Sequence, residues 1–139
     1  MPPPSVHKAP ERAVILCVDD SPDVLECEQA FLEAFGYTVL AAPSGIKGLE
    51  LASIHAVDVV LVDYCMPEMD GHQFAIEVKR LRPEAPIIML SWAVDIPTNV
   101  LKQVDAFVGK DCLSTQLLSV IARLHGRELM SPSVFNALL

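Results

Sequence analysis

Positive charge is scarce in this chain: 10 Lys and Arg residues face 18 Asp and Glu, a formal net charge of −8. That balance argues against non-specific nucleic-acid binding, which needs Lys and Arg to displace counterions from phosphate. No apolar run approaches the roughly 20 residues that cross a bilayer. The N-terminal stretch MPPPSVHKAPER lacks the apolar core of a signal peptide, so export is not expected and a cytoplasmic location is. Cys17, Cys27, Cys65 and Cys112 form neither a C-x-x-C pair nor a zinc-type spacing. In a chain that is not exported they read as reduced thiols. His7, His55, His72 and His125 are scattered and make no ligand pair. A glycine-rich nucleotide loop is missing too, because Ser44-Gly45-Ile46-Lys47-Gly48 lacks the G-x-x-x-x-G-K-[ST] spacing. A small enzyme and a signalling or binding module remain.

What is present is apolar residue in short, ordered blocks. With 139 residues, 52% of them hydrophobic, the chain suits one well-cored domain. Residues 1–12 carry Pro2, Pro3, Pro4 and Pro10 without apolar period, and are expected to be a flexible arm. The domain is expected over 13–126, with 127–139 as a C-terminal tail. Ala13–Val18, Tyr37–Ala41, Val57–Val62, Pro86–Leu90 and Asp105–Val108 read as strands. Between them lie helical patterns. The first has Asp20 or Ser21 as N-cap, Pro22 in the first turn, and Val24, Leu25, Phe31, Leu32 and Phe35 as its stripe, with Gly36 as its stop. The second starts at Ser44, with Ile46, Leu49 and Ala52 or Ser53 inward. The third covers Gln73–Leu81, with Phe74, Ile76, Val78 and Leu81 apolar. The last carries Leu113, Leu117, Val120, Ile121 and Leu124. Strand–helix repeated five times predicts an α/β fold: a doubly wound, five-stranded parallel sheet of flavodoxin-like order 2-1-3-4-5.

Chemistry gathers where the strands stop. The buried run VDVVLV ends in Asp63, and the turn Tyr64-Cys65-Met66-Pro67 with Asp70-Gly71 follows. The first strand runs into Asp19-Asp20, the fourth into Ser91 and the fifth into Gly109-Lys110. In the expected order these ends converge, since ligands of open α/β sheets bind outside the strand C-termini. Three close carboxylates repel, and burial makes ionisation costlier. A hard cation relieves both, and Mg²⁺ suits carboxylates shared with a phosphate. A carboxylate beside it can attack phosphorus and form an acyl phosphate. Such transfer needs mainly positioning and charge neutralisation, for which Lys110, Ser91 and a backbone N–H near Met66 are available.

In these residues the chain resembles the receiver domain of two-component response regulators, over roughly residues 12–125. The resemblance rests on Asp19-Asp20, Asp63 with Met66-Pro67 and Gly71, Ser91 and Lys110. It implies that Asp63 is the phosphoacceptor, and that Asp20 binds Mg²⁺ directly and Asp19 through water. The backbone carbonyl of Cys65 would be a further ligand. Ser91 would follow the phosphoryl group, Lys110 would be its counter-charge, and Phe107 would hold the aromatic switch position. The implied phosphodonor is a phosphohistidine on a sensor histidine kinase or a His-containing phosphotransfer protein, and the output a downstream effector protein. No direct nucleic-acid or membrane partner is implied.

The departures lie on the responding side. Trp92 follows Ser91 where the family usually has a small residue, and either modulates access to the pocket or lies over the loop. Asp111 follows Lys110 where the family commonly has Pro, so a trans bond is expected there. Between Ser91 and Lys110, with Pro97 inside, there is room for at most about two helical turns. A changed output surface or looser coupling follows. Neither Cys65 nor Ala93 can position water as an amide or acid does, so a long phosphoryl lifetime is expected. With no DNA-binding domain after the last helix in the sequence as given, a stand-alone receiver or one cut from a longer chain is expected. One rival is a non-phosphorylated pseudo-receiver acting as a protein-interaction module. A turnover phosphatase ranks last, because Cys65 stands where such enzymes carry a second Asp. The chain is therefore expected to be a signalling phosphoacceptor and not an enzyme.

Overall fold

The computed structural model describes residues 13–92, 96–110 and 113–125. The expected arm and tail lie outside the described residues, as do Ala93, Asp111 and Cys112. The chain alternates β1 (Val14–Val18), α1 (Pro22–Ala34), β2 (Thr38–Ala42), α2 (Gly45–Ile54), β3 (Val59–Asp63) and α3 (Gly71–Leu81). It continues through β4 (Ile87–Ser91), α4 (Thr98–Leu101), β5 (Ala106–Gly109) and α5 (Leu113–His125). All strand pairs are parallel and their order is β2-β1-β3-β4-β5, as the strand–helix alternation predicts.

Side chains alternate along each strand, so one sequence feeds two cores. Ile15, Cys17, Leu61, Ile88 and Val108 face one side, where Leu25 and Leu32 of α1 and Leu117 and Ile121 of α5 cover them. Leu16, Val18, Val60, Val62 and Met89 face the other, under Ala52 of α2, Phe74 and Val78 of α3, and Val100 of α4. Residues buried at every position of β3 and β4 explain their apolar sequence up to the terminal Asp63 and Ser91.

Local signals set the helix starts. Ser21 rather than Asp20 caps α1, its Oγ accepting from the Val24 N–H at 3.3 Å. Ser44 caps α2 and Asp70 caps α3 in the same way, at 3.1 and 2.8 Å. Asp70 brings α3 in at Gly71, two residues before the expected start. The strands differ too, since β2 to β5 end one residue later than the apolar runs imply. Asp63 and Ser91 therefore belong to the ladder itself, in register with Leu90 and Gly109 respectively.

One inward assignment is corrected and one open alternative is decided. Ile46 is 54% exposed, and α2 instead buries Gly45, Gly48 and Ala52. A Cβ on Gly48 would lie 2.8 Å from the Phe74 ring and 2.9 Å from Val18, so α2 packs too closely for large inner side chains. Ser53 is exposed, and Ala52 takes the inner place. On α3, Leu81 is exposed and Ile76 only half-buried, while Ala75 is buried between Phe74 and Val78. α4 is a single turn capped by Pro97 without a side-chain hydrogen bond, within the expected limit.

Candidate functional site

The C-terminal ends of β1, β3, β4 and β5 bring together the residues that the strand order predicts. Asp19, Asp20 and Asp63 each present a carboxylate oxygen, all within 4.8 Å of one another. Asp19 and Asp63 are buried, whereas Asp20 is exposed. Asp19 is held at both oxygens. Its Oδ1 accepts the Ser21 N–H at 2.9 Å, and its Oδ2 accepts from Lys110 Nζ at 2.9 Å. The start of α1 thus fixes the carboxylate that precedes it.

Lys110 reaches Asp63 Oδ1 as well, at 3.1 Å. Its ammonium is a buried bridge between β1 and β3, supplied from beyond β5. Burial works against the charged ammonium, but hydrogen bonds to Asp19 and Asp63 outweigh it and raise the Lys110 pKa. Asp63 is also displaced upward, chiefly by loss of water around it, with Asp19 and Asp20 adding repulsion and Lys110 opposing. Ser91 is buried at the end of β4, beside the same edge.

The loop after β3 is built to bend. Gly71 N–H returns to the Tyr64 carbonyl at 3.0 Å, and a Cβ at Gly71 would collide with the Asp63 carbonyl oxygen. Glu68 takes φ +68°, a left-handed conformation unusual for a side chain of its kind. Tyr64, Cys65, Met66, Pro67 and Asp70 line an open depression of about 480 Å³ on this loop. Trp92 is 70% exposed, while Phe107 is half-buried against the core shared with Val100.

One buried acid escaped sequence reasoning. Glu28 on α1 is only 4% exposed, and its Oε2 makes no hydrogen bond. Its pKa is pushed up to about 8, first by burial, then by Asp19 and Asp63, with Lys110 opposing. Its signal was in the spacing: Leu25, Glu28 and Leu32 fall at i, i+3 and i+7, so an acid stands on the inward stripe.

The profile of the response regulator receiver domain matches residues 15–122. The chain belongs to that family. Over 94% of its length it is 32% identical to the sensor protein GacS of Pseudomonas syringae pv. syringae, of which it covers 15%. It is 39% identical over 88 residues to the transcriptional regulatory protein GlrR of Escherichia coli, of which it covers 20%. The receiver thus spans a fifth or less of these two curated relatives. Among solved structures, a CheY-like receiver domain protein from Methanospirillum hungatei superposes with TM-score 0.79 at 27% identity, covering 84% of this chain and 95% of that one. The response regulator TrrA of Thermotoga maritima, solved with Mg²⁺ and BeF, gives 0.76 at 26% identity, over 81% of this receiver and 98% of its own chain. The family of two-component signalling domains agrees with the resemblance carried by Asp19-Asp20, Asp63, Ser91 and Lys110.

Proposed function

We propose that this receiver takes a phosphoryl group from phosphohistidine onto Asp63, with Mg²⁺ in the acid pocket, and so regulates a partner protein. The observation that carries the reading is the juxtaposition of Asp19, Asp20 and Asp63, with Lys110 bonded to two of them. Asp63 attacks phosphorus with one carboxylate oxygen. The O–P bond forms as the N–P bond of the donor breaks, and the departing imidazole takes up a proton. Lys110, already 3.1 Å from Asp63, is placed to hold one phosphoryl oxygen. The Ser91 hydroxyl and the Met66 N–H are assigned to the others.

An all-oxygen donor set suits Mg²⁺, and three carboxylates with one ammonium leave two uncompensated negative charges for it to balance. Asp19, Asp20, Asp63 and the Cys65 carbonyl would hold it. When bound, the ion supplies charge neutralisation for the phosphoryl oxygens. A histidine kinase or phosphotransfer protein is the matching donor, and the depression at Tyr64–Asp70 lies on the loop that leaves Asp63. Trp92, adjoining Ser91, is assigned to modulating access.

Phosphorylation adds charge where Lys110 now balances Asp19 against Asp63. Drawing Lys110 and Ser91 toward the phosphoryl group moves the ends of β4 and β5. Phe107 and the single turn of α4 are the elements that would register the move. Incubation with Mg²⁺ and acetyl phosphate or beryllofluoride tests this directly, read by intact mass or by ¹⁹F NMR. An adduct on the wild type that is lost in Asp63→Asn supports the reading. No adduct on the wild type favours the non-phosphorylated interaction module.

A further inference from the structure

Two aspartates sit at the end of the sheet opposite the acid pocket, and each makes the same pair of bonds. Asp58 precedes β3 and Asp105 precedes β5. The Asp58 N–H donates to the Val14 carbonyl at 2.8 Å, and its Oδ2 accepts the Val14 N–H at 2.7 Å. Asp105 repeats this on Ile87: its N–H donates to the Ile87 carbonyl at 2.8 Å, and its Oδ2 accepts the Ile87 N–H at 2.8 Å. Lys79 Nζ reaches the same Oδ2 at 3.2 Å and the Ala85 carbonyl at 3.0 Å. Each aspartate thus clasps both main-chain groups of one residue that starts the neighbouring strand, Val14 of β1 or Ile87 of β4.

The placement recurs in the sequence. Asp58 lies five residues before Asp63, in VDVVLVD, and Asp105 five before Lys110, in VDAFVGK. Asp63 and Lys110 are the pair that meets at 3.1 Å in the pocket. Main-chain pairing cannot choose between registers, because every residue offers the ladder the same N–H and C=O. Side chains choose. A slip of one residue carries a strand end about 3.3 Å along its neighbour and turns its side chains to the other face. The Asp63–Lys110 contact does not survive such a shift. β3 is buried at every position, which helps to hold it. β5 has less: it is an edge strand of four residues in which only Val108 is buried.

We propose that Asp58 and Asp105 are positioning residues of the phosphoryl-transfer site, which pin β3 and β5 in register and so deliver Asp63 and Lys110 side by side. Asp105 has the larger share, because β5 has fewer other restraints. The Lys79–Asp105 ion pair is more than a third exposed and contributes little by itself. Its part is to aim the carboxylate oxygen at the Ile87 N–H. The effect on transfer rests on the phosphoacceptor reading above, whereas the placement of Lys110 stands apart from it. Asp105→Ala removes the acceptor, Asp105→Asn keeps a carbonyl oxygen there, and Lys79→Met removes only the cation.

Two readouts on the intact chain test this. One is the rate of adduct formation with Mg²⁺ and acetyl phosphate. The other is the ¹H–¹⁵N cross-peak of the Lys110 ammonium, assigned by its absence from Lys110→Arg. Asp105→Ala is expected to displace that cross-peak and to slow the adduct on the order of tenfold, the equivalent of one hydrogen bond to a charged group. Asp58→Ala and Lys79→Met should displace it less, and Asp105→Asn should restore both readouts toward the wild type. In a Lys110→Ala background Asp105→Ala should slow the reaction no further, whereas a general loss of stability would add to it. A folded Asp105→Ala with the wild-type rate and an unmoved cross-peak overturns the proposal, as does an equal further slowing in the Lys110→Ala background. Should Asp105→Ala not fold, Lys79→Met decides, and a cross-peak unmoved there overturns the pin. Absence of an adduct on the wild type overturns the phosphoacceptor reading instead, and the Lys110 cross-peak alone then decides the placement.

Discussion

Glu28 and Asp63 carry carboxyls that ionise less readily folded than unfolded, and burial is the first cause in both. For Glu28 the pKa moves from an ordinary 4.5 to about 8. Between those values the native state holds a proton that the unfolded chain has released, so stability falls as pH rises across the window. Glu28→Gln is expected to match the wild type near pH 5 and to exceed it at pH 9 by on the order of a few kcal/mol. Urea unfolding at both pH values checks this. Asp63→Asn follows the same sign and should raise the Tm at pH 7 while abolishing the adduct. A lower Tm would mean that the ion pair with Lys110 outweighs the burial of the carboxylate.

At the scale of elements, the β3–α3 loop holds the most demanding backbone. Gly71→Ala drives a Cβ into the Asp63 carbonyl and to 2.9 Å from the Tyr64 Cα. Both obstacles are backbone and cannot rotate away, so a loss of about 2–4 kcal/mol is expected in equilibrium unfolding. Glu68→Gly acts in the opposite direction. Relief of a left-handed side chain, about 1–2 kcal/mol, exceeds the added unfolded-state freedom, and a net gain of about 0.5–1 kcal/mol follows. The helices show how legible elements were. Ser21 and Ser44 could be read as caps because a short side-chain oxygen before a helix has one common use, whereas Asp70, read as part of the turn, proves to cap α3 as well. The inner face of α2 was misread through Ile46. Hydrophobicity pointed there, but the packing distance to Phe74 and Val18 selected small residues, and Gly45, Gly48 and Ala52 marked it by size.

At the scale of the whole molecule, the acid pocket draws on four strand ends separated by up to 91 residues, the span between Asp19 and Lys110. A ligand that enters it is expected to stabilise all of them together. Mg²⁺ at about 100 times its Kd should add roughly 2.7 kcal/mol to the unfolding free energy of the wild type. The gain should be smaller in Asp63→Asn, which a thermal melt with and without MgCl₂ reads directly. The sequence by itself determined the alternation of elements, their two-faced burial and the acids, serine and lysine at the strand ends. These are local facts: apolar runs too short for anything but strands, caps before helices, polar residues where runs stop. Only the tertiary structure decided which carboxylates share Lys110, that Asp63 and Ser91 lie inside the ladder, and that α2 turns its glycines inward. It alone decided that Glu28 lies buried beside the pocket. Charge and burial are set by what other elements bring near, and no spacing along one segment encodes that distance.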